Sequence, residues 1–248
     1  MDFSKISYKS FFGRLIRLPL RLIPKRTVLP ILQGQLRGKK WVVGAGEHGY
    51  WLGSYELHKR QTFERTIKPD MVVFDIGANV GFYSLLAAYL TGRDGKVYAF
   101  EPLHRNVEYI RQHAALNGLV NIEVFEAAVA DQNGEALFDP GASIAMGHLS
   151  AQGTVRVRQY CLDALLAGGQ IDPPDVMKID VEGAEYAVLK GAQALIQKHL
   201  PLIFLDTHGR DAHEATIGFL RARGYQFEIL DGRPLAESKE LVARPPGS

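Results

Sequence analysis

The sequence predicts an α/β fold, a parallel sheet flanked by helices. Three observations carry this. From Asp70 onward, strand-like apolar runs alternate with helix-like segments. The first run, Val72-Val73-Phe74-Asp75-Ile76, is of the continuously buried kind found in parallel sheets. Polar residues then gather just beyond several predicted strand ends, where ligands of open parallel sheets bind.

In order, strands are predicted at 71–76, 96–100, 122–126, 176–180, 202–206 and 226–230, with a weaker one at 240–243. Helices are predicted at 82–90, 105–117, 184–198 and 212–223. The first helix follows a glycine turn directly. Asn117-Gly118 and Arg223-Gly224 read as helix stops, while Gly191 weakens the middle of the third helix. Segments 135–138 and 154–158 are expected to pair as a hairpin around residues 139–153. That loop carries Ser143, Met146 and His148, and glycines 141, 147 and 153 give it the hinges of a substrate lid. An ordinary hairpin loop is the competing reading.

The chain has 248 residues, enough for one large domain with a substantial core. Its single cysteine, Cys161, excludes an internal disulfide and a cysteine-based zinc site. No cleavable leader and no bilayer-length apolar run are expected, and a reducing, cytoplasmic setting is the simplest. The formal net charge of +2 hides an asymmetry. Residues 1–40 carry ten basic side chains against Asp2 alone, a charge of +9, and the remainder is −7. Phe11, Phe12, Leu15 and Ile16 alternate with Arg14, Arg17 and Arg21, and Pro19 and Pro24 limit any helix there to about two turns. Such an arm either docks on the acidic body or makes peripheral contact with an anionic inner membrane surface or a lipid-linked substrate. The acidic body argues against nucleic acid as a partner, although the arm could contact phosphates.

The turn Asp75-Ile-Gly77-Ala78-Asn79-Val-Gly81-Phe82 carries the chemistry. A dinucleotide site wants three glycines so that a pyrophosphate can approach the helix N-terminus. Here Asn79 holds the middle-glycine place, and Asp75 would repel phosphate while attracting a cation. S-adenosylmethionine has a sulfonium, an ammonium and no phosphate. Glu101, at the next predicted strand end, suits ribose hydroxyls and serves NAD equally well. A nicotinamide-dependent oxidoreductase is therefore the rival enzyme class, and a non-catalytic, membrane-associated cofactor-binding scaffold the non-enzymatic one.

Taken together, Asp75-Ile-Gly-Ala-Asn-Val-Gly81, Phe100-Glu-Pro102, Lys178-Ile-Asp-Val-Glu-Gly-Ala-Glu185 and the upstream Tyr50-Trp-Leu-Gly-Ser-Tyr-Glu56 resemble the FkbM-type methyltransferases, over about residues 44–208. The resemblance implies a class I methyltransferase (Rossmann-like) fold: a seven-stranded, mostly parallel sheet flanked by helices, its last strand antiparallel. It implies S-adenosylmethionine as cofactor, S-adenosylhomocysteine as product, and O-methylation of a sugar, glycan, lipid-linked or polyketide-like acceptor. By position, Asp75, Gly77, Ala78, Asn79, Gly81 and Phe82 belong to the methionine-binding turn. Glu101 would hold the ribose, Ala128 would lie near the adenine, and Glu56 would face the amino group or serve as a buried structural acid. The domain would span 44–243, after a basic arm 1–43 and before a frayed tail 244–248. The family more often has Glu at the place of Asp206, and the arm lies outside the shared region.

A sugar hydroxyl needs a base that takes its proton late in the transition state. His208 is the leading candidate, with an ordinary pKa near 6.5. Asp180 and Glu182 are the others. Lys178 and Asp180 point the same way on an extended strand and are expected to pair; the alternative places Asp180 at the cofactor's methionine end or has it orient the acceptor. Glu185 is expected in the first turn of the following helix, where acids favour the dipole. A divalent cation at Asp180, Glu182, Asp206 and His208 is conceivable, but no spacing there is diagnostic of one.

Overall fold

The computed structural model describes residues 19–141, 147–150 and 152–247. After a 3₁₀ turn, Pro19–Leu22, come the antiparallel pair β1 (Val28–Pro30) and β2 (Lys40–Val42), then α1 (His48–Leu52) and α2 (Leu57–Thr66). The alternating part begins with β3 (Val72–Ile76), α3 (Phe82–Thr91), β4 (Lys96–Phe100), α4 (His104–Asn117) and β5 (Ile122–Phe125). A small sheet follows: β6 (Ala128–Val129), β7 (Gly134–Asp139), β8 (His148–Leu149) and β9 (Val155–Tyr160). The chain then runs through α5 (Leu162–Ala167), β10 (Val176–Ile179), α6 (Glu185–Gly191), α7 (Gln193–His199), β11 (Leu202–Asp206), α8 (Arg210–Arg221), β12 (Gln226–Ile229) and β13 (Glu240–Arg244).

The main sheet has seven strands in the order β12-β13-β11-β10-β3-β4-β5. β13 is antiparallel to both neighbours, and the pairs from β11 across to β5 are parallel. The chain runs outward from β3 to β5 and then returns to lay β10 against β3. The crevice beyond the carboxyl ends of β3 and β10 is therefore the switch point where such sheets bind ligands. Side chains alternate across the sheet. Val73, Val97 and Phe204 pack with α3 on one face, while Phe74, Ile76, Tyr98 and Met177 pack with α6 and α7 on the other.

Several expectations change. The third helix is two, α6 and α7, with Ala192 between them at φ −119°. Gly191 lies so close to another backbone that an added Cβ would sit 2.0 Å from the Ala130 carbonyl oxygen. β7 and β9 pair antiparallel with Glu135 opposite Arg158, and β8 and β6 extend the pair into four strands. Gly147 and Gly153 face the ring and backbone of Phe138, so close packing accounts for glycine at both places. Ser143 and Met146 lie outside the described residues, as do Phe11, Phe12, Arg14, Leu15, Ile16 and Arg17. The later part of the expected arm is integral to the body. Ile31, Leu36, Trp41 and Val42 are buried in the core, and the Trp41 ring stacks on His113 at 3.7 Å. Arg244, assigned to the tail, belongs to β13, where its Nη2 lies 2.6 Å from Glu228 Oε2. No helix among the described residues is long and apolar enough to cross a membrane.

Candidate active site

A cleft of about 270 Å³ opens at the switch point. Its walls include Glu56, Gly77, Ala78, Asn79, Phe82, Glu101, Ala128, Asp180, Glu182 and His208. The structure thus gathers residues spread over more than 150 positions of sequence. Two expected cofactor residues, Asp75 and Gly81, do not line it. Asp75 is 1% exposed beneath the turn, where its Oδ2 accepts a 2.6 Å hydrogen bond from Ser84 Oγ. Gly81 caps α3 at φ 86°, and an added Cβ would meet Ile110 of α4 at 2.9 Å. Both support the turn from behind.

The turn needs its special residues. Gly77 has φ 77°, and a Cβ there would sit 1.9 Å from the Asp180 carbonyl oxygen. Gly77 N and Ala78 N both donate to Phe100 O at 3.0 Å. Asn79 has φ 50°, and its N–H donates to Glu101 Oε2 at 2.9 Å. Glu56 and Glu182 also have positive φ, so three of the five such non-glycine residues described line this cleft. Sparsely populated backbone of this kind collects at functional sites. Glu101 Oε1 accepts from Leu103 N at 3.0 Å and Asn106 Nδ2 at 3.1 Å. Burial pushes the Glu101 carboxyl up to about 7 despite those donors. Asn79 Oδ1 and Asn106 Oδ1, on cleft-lining residues, are buried acceptors without a partner.

A network of charge lines the cleft and reaches beneath it. Lys178 Nζ is 3.6 Å from Asp75 Oδ1 and 3.5 Å from Asp180 Oδ2, so the expected Lys178–Asp180 pair is present and shared with a second acid. Lys59 Nζ is 2.6 Å from Glu56 Oε2 and 2.7 Å from Asp206 Oδ2. The Tyr83 hydroxyl donates to Glu56 Oε2 at 2.9 Å, and its ring lies 5.2 Å from Lys178 Nζ and 5.7 Å from Lys59 Nζ. Burial works against both ammonium charges, but the adjoining carboxylates outweigh it and hold both lysines protonated. For Asp180, burial acts upward, but Lys178, Lys59 and His208 outweigh it and hold the carboxyl below the usual range. Burial, with the Asp180 charge second, pushes Asp206 up to about 7 against the pull of Lys59. Four carboxyl groups thus share two ammonium groups. A buried excess of negative charge is costly, and a cationic ligand would balance it.

Close to Asp180, His208 Nδ1 is 3.0 Å from Glu185 Oε1 and Nε2 is 3.6 Å from Glu182 Oε2. The hydrogen bond to Glu185, opposed by burial and helped by Glu182 and Asp180, raises His208 to about 9. This corrects the expectation of a base poised near 6.5: without ligand, the imidazole is protonated at neutral pH. Burial raises Glu182 above its usual range, against the pull of His208. Asp180, Glu182 and His208 each offer a ligand atom within 4.8 Å of the others. They are the residues that would hold a divalent cation, although the proton on His208 and the Asp180–Lys178 pair compete with one.

Sequence reasoning missed Lys59, Tyr83 and Asn106. It also placed Glu185 only as a dipole acid, whereas that residue is fully buried against His208. Lys59 had one local signal, its place three residues after Glu56. Glu185 closes the same K-I-D-V-E-G-A-E string that marks the site.

A sheet with this strand order and an acid-rich, acceptor-rich cleft at its switch point define a class I S-adenosylmethionine-dependent methyltransferase. The orphaned carbonyls of Asn79 and Asn106, the Glu101 carboxyl and the uncompensated acids fit a cofactor with ribose hydroxyls and cationic groups. A profile described as the methyltransferase FkbM domain matches residues 75–227, and the chain belongs to that family of methyltransferases. The hexuronic acid methyltransferase AglP of Haloferax volcanii is 25% identical over 150 residues, 59% of this chain and 60% of that protein. The 2-O-methyltransferase NoeI of Sinorhizobium fredii is 29% identical over 213 residues, 78% of this chain and 82% of that one. The crystal structure of an FkbM methyltransferase from Methylobacillus flagellatus superposes with a TM-score of 0.51 at 17% identity, covering 74% of this chain and 50% of that one. That last likeness concerns the fold.

Proposed function

We propose that this protein methylates a hydroxyl oxygen of a sugar-containing acceptor. The observation that carries the reading is the pairing of a cation-seeking cofactor cleft with an acid-supported imidazole, His208, on its wall. The relatives' names, hexuronic acid methyltransferase and 2-O-methyltransferase, support the acceptor class.

When bound, S-adenosylmethionine supplies an electrophilic methyl carbon on a sulfonium, and the sulfur keeps the electron pair of the bond that breaks. The protein's task is alignment and proton management. Glu101 would receive the ribose hydroxyls, Glu56 and Asp180 would face the cationic groups, and Ala128 would border the adenine. His208 takes the acceptor's proton at Nε2 as the oxygen bonds to carbon. Positive charge arriving in the cleft lowers the imidazole's hold on its own proton, so cofactor binding readies the base. Asp180 and Glu182 orient the acceptor. Residues 139–153 act as a lid over it, and the basic arm brings the enzyme to an anionic membrane surface bearing lipid-linked acceptors.

The direct test compares glycans and lipids from cells with and without the protein by mass spectrometry, seeking species that differ by one methyl group. Identical profiles would count against the acceptor class. Calorimetry against S-adenosylhomocysteine and NAD tests the cleft, and binding of NAD alone would refute the cofactor assignment. Replacing residues 143–148 with a short glycine linker should spare S-adenosylhomocysteine binding and impair turnover. Unchanged turnover would remove the lid. Exhaustive chelation should leave activity intact.

A further inference from the structure

We infer that Glu185 is a positioning residue for His208: its buried carboxylate fixes the imidazole with Nδ1 protonated inward and Nε2 turned to the cleft. The inference rests on the reading of His208 as the proton acceptor, and it assigns a function to a residue that does not line the cleft.

The geometry is specific. Glu185 opens α6 and is 0% exposed, while His208 is half-buried, two residues past the end of β11. Glu185 Oε1 accepts from the backbone N–H of Gly183 at 2.9 Å and from His208 Nδ1 at 3.0 Å. The Gly183 bond fixes the carboxylate, and the fixed carboxylate fixes the ring. Its other oxygen, Oε2, is buried without a partner. A helix-dipole role would not require a carboxylate so fully removed from water. A buried anion whose bonds go to one loop N–H and one imidazole acts through that imidazole. The arrangement sets the tautomer: with Nδ1–H committed to Glu185, the neutral ring presents its lone pair at Nε2.

Other charged groups around the ring would not do this. Glu182 approaches Nε2, the face the acceptor needs, at 3.6 Å. Asp180 acts on the ring through space and is tied to Lys178. His148 of β8 acts on Glu182, and Lys239 and Glu240 line the same cleft. Glu185 alone holds Nδ1. Its charge also favours the imidazolium formed when the acceptor's proton arrives, so it serves the ring before and after transfer.

The test is an NMR titration of the histidine imidazoles in isotope-labelled, S-adenosylhomocysteine-saturated protein, comparing wild type, Glu185→Gln and Glu185→Ala. Gln keeps the acceptor oxygen and removes the charge, so it guards against a variant that simply misfolds. In wild type, neutral His208 should carry its proton on Nδ1. In Glu185→Gln that tautomer should persist, while the His208 inflection falls by a unit or more. In Glu185→Ala the neutral ring should become a mixture of tautomers. S-adenosylhomocysteine affinity should stay within about twofold in both variants, because Glu185 contributes no wall to its pocket. An unshifted inflection in Glu185→Gln, or neutral His208 protonated on Nε2 in wild type, overturns the inference. So does movement of the Nε2 resonance on adding Mg²⁺, since that nitrogen would then be a metal ligand.

Turnover by His208→Ala separates this from the reading beneath it. Incorporation of labelled methyl groups from S-adenosylmethionine into a glycan extract should fall at least about a hundredfold. Retained incorporation refutes His208 as the base, even if the titration shows Glu185 holding the ring. Lost incorporation with an unshifted Glu185→Gln titration refutes Glu185 alone.

Discussion

Glu101 combines two roles that conflict without ligand. It is buried, with three donors around it, and still sits well above the usual carboxylate range at about 7. At that value the group is only partly ionised at neutral pH. S-adenosylhomocysteine affinity should rise from pH 6 to pH 8 as the carboxyl ionises. Glu101→Gln should flatten that dependence and weaken binding by about 1.5–3 kcal/mol, the usual worth of a hydrogen bond to a charged group. Calorimetry at three pH values checks both. The place of Glu101 in the cleft was legible in the sequence because it follows a strand and precedes Pro102. The roles of Lys59 and Asp206 were not: 147 residues separate them, and no local period joins residues so far apart.

Elements divide the same way. β3, β4, β10 and β11 announce themselves as apolar runs with an acid at or just past the end. α2 does not, because its buried residues are Lys59, Arg60, Thr62 and Phe63, so a charged face turns inward and the usual amphipathic pattern is inverted. The small sheet was half legible: β7 and β9 are long enough to show, whereas β6 and β8 have two residues each. The α6–α7 break was signalled by Gly191, but what keeps a glycine there, the Ala130 carbonyl, lies 61 positions earlier in the chain. Gly191→Ala should cost about 1–3 kcal/mol, the range for overpacking, and lower the thermal midpoint without altering cofactor affinity per folded molecule. In β2, Trp41 is 0% exposed, and Val42 N donates to His113 Nε2 at 3.2 Å while His113 Nδ1 donates to Val80 O at 3.0 Å. Trp41→Ala should therefore destabilise by about 3–5 kcal/mol, read from denaturant midpoints. An independent arm would lose nothing.

For the whole molecule, the excess acid of the site makes stability depend on pH. His208 lies near 9 when folded, against an ordinary 6.5. The folded state thus binds that proton more tightly, and its contribution, complete below about pH 6.5, is lost as pH rises through 9. The ligand-free thermal midpoint should fall between pH 7 and pH 9. His208→Gln should remove most of that slope, and a midpoint level across the interval in wild type would contradict the assignment. The seven strands, mostly parallel with the last antiparallel, followed from the family resemblance carried by four short strings, whereas the charge balance required three dimensions.

That balance has a consequence for how the molecule could be divided. The family match begins at residue 75, yet Glu56 and Lys59 stand upstream of it on the approach to and within α2. A chain begun at the matched boundary would keep Asp75, Asp180 and Asp206 with Lys178 as their one remaining ammonium partner from the network. It would also strip Tyr83 of its hydrogen-bond acceptor. The lead-in helix thus delivers an ion pair on a tether: its loss leaves the net charge of the network unchanged but takes the lysine from Asp206, so a shorter fragment could form the same strands and still leave that buried acid without its partner.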